Sequence, residues 1–195
     1  MAEAGAYVTA IDISSDMLAV AHERMREVAV KDNVELLLMD AALIGDRFEA
    51  DSFDLIVSSL AFSEMAHPTR GYVLGSCHKL LDQRGKLAIV DEVVPESLAA
   101  WMIYTAIRLP LRLVTWLLTC TSTNPLRDFA ISLTDAGYAL EEVASKLGGS
   151  LQLMIASPDA EIEAEAIPES FHPRLRHRTG IRNFLIDLWA TFFRM

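Results

Sequence analysis

Ala6-Tyr-Val-Thr-Ala-Ile-Asp12-Ile-Ser-Ser-Asp-Met-Leu18 is the stretch that decides the fold. Tyr7 to Ile13 carries Val, Thr, Ile and an aromatic, the types that suit a packed, pleated surface, and the run has the length of a strand. Asp12 stands at its far end. A carboxylate is too costly to bury without a partner inside a parallel sheet, so an acid in this position points into the crevice at the carboxyl ends of the strands. Ser14, Ser15 and Asp16 then supply helix-capping chemistry, and Met17, Leu18, Val20, Ala21 and Met25 recur at helical spacing. An acid so placed can accept hydrogen bonds from both hydroxyls of a ribose, with apolar neighbours covering the base. The plainer reading is that Asp12 helps to cap the helix after it.

Downstream the alternation is regular. Met1 to Gly5 reads as the last turn of a helix, closed by Gly5. A helix from Ser15 to about Val30, a strand Val34–Met39, a loop Asp40–Ser52 and a strand Phe53–Ser59 follow. Next come a helix near Thr69–Leu81, a turn Asp82–Gly85 and a strand Lys86–Asp91. Strands alternating with helices predict a parallel, doubly wound sheet. Asp40 repeats the device of Asp12, ending the apolar run Glu35–Met39, and the third strand ends in Ser58 and Ser59 before a loop of ligand-facing length, Leu60–Met65. Three strand ends converge on one crevice, which separate capping roles do not predict.

Beyond Asp91 the pattern changes. Leu98–Cys120 is apolar enough to suggest a membrane span, but Arg108, Pro110 and Arg112 lie at its centre, so it reads as helix, break, helix, packed on protein. A helix near Pro125–Ala136 stops at Gly137. Tyr138–Leu147 and Leu151–Ala156 read as antiparallel strands joined across Gly148-Gly149. The tail has an acidic stretch (Asp159, Glu161, Glu163, Glu165, Glu169), a basic one (Arg174, Arg176, His177, Arg178, Arg182) and an amphipathic helix with Phe184, Leu188, Trp189, Phe192 and Phe193 on one face. That helix suits docking on the domain, or a partner or membrane surface.

A chain of 195 residues supports one domain with a sizeable core. The net charge of −10 argues against nucleic acid as a partner, because phosphate binding relies on clustered Lys and Arg. Cys77 and Cys120 are too few and too far apart for a disulfide framework or a zinc site, and fit two buried thiols in a reducing cytoplasm. No metal site is expected.

Together these blocks resemble the class I S-adenosylmethionine-dependent methyltransferases over Met1 to about Ala156. The resemblance implies a Rossmann-like, mostly parallel α/β sheet with an antiparallel C-terminal edge. It also implies S-adenosylmethionine as cofactor. Asp12 would meet the ribose hydroxyls, Ile13 and Met17 the adenine face, and Asp40 and Ala41 the adenine edge. Ser58 would lie near the methionine part. His78-Lys-Leu-Leu-Asp-Gln-Arg-Gly-Lys-Leu-Ala-Ile-Val90 is similar to the family's helix, turn and fifth strand. Glu64 and His67, after the third strand, are candidate acid or base groups, and no catalytic base is assigned.

The family's first strand and its Gly-x-Gly-x-Gly loop are absent. In the family's sheet order that strand lies between those of Asp12 and Phe53, so two inner edges are expected to be unpaired. Three explanations stand: a true start upstream of Met1, which is favoured, a decaying gene, or a strand supplied by another chain. The expected organisation is a methyltransferase-like domain over 1–157, with a helical insertion at 98–123, and a charged linker with a terminal helix over 158–195. Trp101, Met102, Tyr104 and Trp116 in the insertion would suit a large apolar substrate, or plain core packing. The insertion and tail are similar to methyltransferases associated with corrinoid proteins, and the central blocks to quinone-biosynthesis methyltransferases. The implied partners are therefore a small-molecule acceptor, a corrinoid protein, or a membrane surface met by the terminal helix. A non-catalytic binding protein on the same scaffold is the alternative, and an NAD(P)-dependent enzyme a third, weakened by the missing glycine loop.

Overall fold

Backbone geometry punctuates the chain where the residue types ask for it. In the computed structural model, which describes residues 1–28, 31–95, 98, 101, 102, 104–106, 109, 126 and 128–159, Gly5 sits at φ 90° and closes a 3-10 turn over Ala2–Ala4. Only glycine takes that conformation without strain. Strand β1, Val8–Asp12, follows it. The Ser14 hydroxyl accepts the Met17 N–H at 3.3 Å and caps helix α1, Ser15–Glu27. Strand β2, Val34–Leu38, lies parallel to β1 with Val8 opposite Val34 and Asp12 opposite Leu38.

The segment expected as a loop from Asp40 to Ser52 contains a 3-10 turn, Ala41–Leu43, and a one-turn helix α2, Ile44–Arg47. Strand β3, Phe53–Ser59, has its expected bounds. Helix α3, His67–Leu80, starts two residues early, with Pro68 in its first turn, where a missing N–H costs nothing. Strand β4, Leu81–Glu92, absorbs the expected turn at Asp82–Gly85 as a register shift. Phe53 faces Leu81 and Leu55 faces Lys86, so the four residues bulge out of the ladder. Helix α4, Phe129–Asp135, and strands β5, Tyr138–Lys146, and β6, Leu151–Pro158, complete the fold. Strand β6 runs antiparallel between β4 and β5, giving the expected antiparallel edge.

The strands of the described residues form two sheets: β1-β2, and β3-β4-β6-β5. Among the described residues β1 pairs only with β2 and β3 only with β4, so each keeps one unpaired edge. Packing follows this division. Every fully buried apolar residue described lies at Ala42 or later, and α1 has none. The core is Val73, Leu74, Cys77 and Leu80 of α3 against Leu87 and Ile89 of β4 and Met154 of β6, closed by Phe129 and Leu133 of α4. In β3, by contrast, Leu55 and Val57 remain 41% and 50% exposed. Ile11, Met39 and Ala41 are the link between the two parts, half-buried against the core.

Most of 98–123 and all of 160–195 lie outside the described residues, and with them Trp116, Cys120, the acidic stretch beyond Asp159, the basic stretch and the terminal helix. Trp101 and Met102 are helical and exposed, and the Tyr104 hydroxyl donates to Glu92 at 3.0 Å, beside the end of β4. No described helix is long and apolar enough to cross a membrane.

Candidate functional site

Parallel strands place their last residues at one end of a sheet, and here both acids sit there. Asp12 ends β1, and the residue after Leu38, Met39, donates its N–H to the Asp12 carbonyl at 3.0 Å. Asp40 is the next residue. The two carboxylates therefore leave adjacent strands at the same level.

Each acid also shapes its own turn. Asp12 Oδ1 accepts the Ser14 N–H at 2.8 Å, and Asp40 Oδ1 accepts the Ala42 N–H at 2.9 Å. The capping role first considered for Asp12 is filled by Ser14, whose hydroxyl takes the α1 amide. What Asp12 does instead is fix the turn between strand and cap. The second Asp40 oxygen has no partner among the described residues, and the Ala41 N–H, at the first position of the 3-10 turn, lacks an intrahelical acceptor. A half-buried acceptor beside a backbone donor is the polar pattern that the edge of an amino-purine requires. Both acids are half-buried, Met17 is half-buried, and Ile13 is 52% exposed at the same end of β1.

Ser58 lies one residue before the end of β3, opposite Ile89 of β4, and is half-buried. Glu64 and His67 are both exposed, Glu64 in a 3-10 turn and His67 at the start of α3. The structure thus brings Asp12, Ile13, Asp40 and Ala41 together. It puts Ser58, Glu64 and His67 at the carboxyl end of the other sheet. One residue of interest was read in the sequence only as a strand end: Asp91, fully buried at the end of β4, accepts the Ser63 N–H at 3.1 Å. Burial pushes its carboxyl above the usual range, opposed by the hydrogen bonds from Ser63 and Phe62 and by Arg70. The signal that could have found it is its place, since like Asp12 and Asp40 it is an acid closing an apolar strand.

The nucleoside half of S-adenosylmethionine fits this polar pattern. For its amino-acid half no Gly-x-Gly-x-Gly run exists in the sequence.

Comparison with known proteins gives a concordant picture. Residues 1–85 match the family model described as a methyltransferase domain. The chain is 29% identical over 97 residues to the ubiquinone/menaquinone biosynthesis C-methyltransferase UbiE of Blochmanniella pennsylvanica, a match covering 50% of this chain and 37% of that protein. It is 36% identical over 95 residues to the methyltransferase GfsG of Streptomyces halstedii, covering 48% of this chain and 32% of that protein. The chain therefore spans only these minor parts of the relatives it matches. Among solved structures, a SAM-dependent methyltransferase from Aquifex aeolicus superposes with a TM-score of 0.53 at 20% identity, covering 76% of this chain and 67% of that one. That likeness establishes the fold.

Proposed function

We propose that the chain transfers the methyl group of S-adenosylmethionine to a small-molecule acceptor, a reading supported by the match of residues 1–85 to the methyltransferase-domain model and by the fold shared with a SAM-dependent methyltransferase. The observation that carries this reading is the pairing of Asp12 and Asp40 at the carboxyl ends of β1 and β2. Asp12 accepts the ribose hydroxyls, and Asp40 with the Ala41 N–H meets the adenine edge. Ile13 and Met17 cover the ring. Ser58 lies toward the methionine part.

The sulfonium supplies an activated methyl group, which a nucleophile of the acceptor attacks in line. The chain's task is then to position the two partners rather than to bond covalently, and orientation alone supports large rate gains. Glu64 and His67, exposed beside the end of β3, are the candidates for taking a proton from the acceptor. A quinone-like acceptor is suggested by the relative from Blochmanniella, and a corrinoid-linked one by the resemblance of the insertion and tail. In this reading residues 1–157 are the catalytic domain of a cytoplasmic protein, 98–123 cover the acceptor, and 158–195 meet a partner or membrane surface.

A second reading is a non-catalytic binding protein on the same scaffold. Calorimetric titration of this chain with S-adenosylmethionine, S-adenosylhomocysteine and NAD separates the possibilities. Micromolar binding of the first two, and not of NAD, is expected. A folded chain that bound none of them would hand the site to the second reading.

A further inference from the structure

The segment Leu60–Met65, which joins β3 to α3, is gripped from two sides by side chains with no role in the reading above. Leu60 opens it at φ 54°, in the left-handed region, with its N–H on the Val90 carbonyl at 2.8 Å. Such a conformation persists in a branched residue only when its surroundings enforce it. Arg70, in the first turns of α3, reaches back onto the segment: its Nε–H donates to the Phe62 carbonyl at 2.7 Å and to the Met65 carbonyl at 3.1 Å. From the other side, Asp91 accepts the Ser63 N–H at 3.1 Å through Oδ2 and the Glu92 N–H at 2.7 Å through Oδ1. The Ser63 hydroxyl and the Phe62 amide bear on the same carboxylate.

The guanidinium thus takes the segment's carbonyls, the carboxylate takes its amides, and the two charges attract each other. Burial opposes ionisation of both groups, raising Asp91 and lowering Arg70, while the hydrogen bonds to Asp91 and the attraction between the two groups oppose those shifts. Charged groups with a buried member add little stability over an apolar replacement, but they can select one arrangement among several. What they select here is the backbone at the carboxyl end of β3, next to Ser58.

We propose that Arg70 and Asp91 are positioning residues that lock segment 60–65 and thereby set the affinity for the amino-acid half of the cofactor, leaving its nucleoside half to Asp12 and Asp40. This rests on the methyltransferase reading. Asp91→Asn keeps an acceptor for the Ser63 N–H and loses the charge. Arg70→Lys keeps the charge and loses the Nε–H.

The test titrates native chain and both variants with S-adenosylhomocysteine and, separately, with adenosine, and follows amide hydrogen exchange without ligand. In both variants the Kd for S-adenosylhomocysteine should rise about tenfold, the scale of one lost charge-assisted hydrogen bond, and that for adenosine less than about twofold. Exchange at residues 61–65 should quicken about tenfold while residues 87–90 of β4 keep native protection. A general folding defect would weaken both ligands together and expose β4. Equal losses for the two ligands, or unchanged exchange at 61–65, would overturn the proposal. If the native chain binds neither ligand, the cofactor reading fails, and the exchange at 61–65 alone decides whether the lock exists.

Discussion

The Met39 N–H donates to the Asp12 carbonyl at 3.0 Å, one step past the last register pair of β1 and β2, and this bond sets Asp40 beside Asp12. The two acids then act as one polar edge. Their separate turn bonds leave that edge in place after a conservative change.

Asp12→Asn and Asp40→Asn test the nucleoside assignment without disturbing the fold. Asparagine still offers an oxygen to the Ser14 or Ala42 N–H and is as good as aspartate at such turn positions. The lost charge should cost about 1.5–3 kcal/mol of binding, which is about 10- to 150-fold in Kd for S-adenosylhomocysteine. Calorimetry gives the affinities and a thermal melt should show a nearly unchanged midpoint. Native affinity in both variants would remove these acids from the site.

Gly85→Ala should destabilise the chain. A Cβ at that position would stand 2.9 Å from the Asp82 carbonyl oxygen and 3.0 Å from the Phe53 carbonyl oxygen, both backbone atoms held by the bulge between β3 and β4. Overpacking that displaces backbone typically costs about 1–3 kcal/mol. A urea melt measures it. Gly71→Ala, on the exposed side of α3 with nothing within 4 Å of the added carbon, is the control and should be neutral or slightly stabilising.

Cys77 makes stability fall on the alkaline side. Burial pushes its thiol from 9.0 up to about 12, so the folded chain holds this proton more tightly than the unfolded one. The contribution is complete below pH 9 and is lost as the pH rises from 9 toward 12, at no more than about 1.4 kcal/mol per pH unit. In Cys77→Ala that slope disappears. The stability gap between native chain and variant, read from urea melts at several pH values, should therefore narrow above pH 9. A constant gap would mean that the thiol already ionises in the folded chain.

What the sequence disclosed, and what it hid, follows from the range of the interactions concerned. Strand β3 was legible to the residue because an apolar run sits between Ser52 and Ser59, and β1 and α1 because Ser14 carries the cap. Asp12 and Asp40 were legible because each closes its own strand. Asp91 closes a strand in the same way, yet its carboxylate turns under a loop 28 residues earlier in the chain, a contact that no local pattern encodes. The Asp82–Gly85 turn was misjudged for a related reason, since only pairing with β3 makes those residues part of a bulged strand.

The last prediction concerns the division of the sheet. Among the described residues, strands β1 and β2 have only each other as hydrogen-bonded neighbours, and a two-stranded ribbon is marginal in water unless something covers it. Here the cover is α1, which has no fully buried residue, and the ties to the core are half-buried Ile11, Met39 and Ala41. Strand β4 is paired on both edges and carries Leu87 and Ile89, which are almost wholly buried. The β1-α1-β2 unit should therefore open without the rest. Amide exchange should be at least about tenfold faster in residues 8–12 and 34–38 than in 87–90, a gap of about 1.4 kcal/mol or more in opening free energy. S-adenosylhomocysteine should slow the first two segments selectively, because in the proposed site the ligand bridges Asp12 and Asp40. Uniform protection across β1, β2 and β4 would show that the two sheets unfold as one unit.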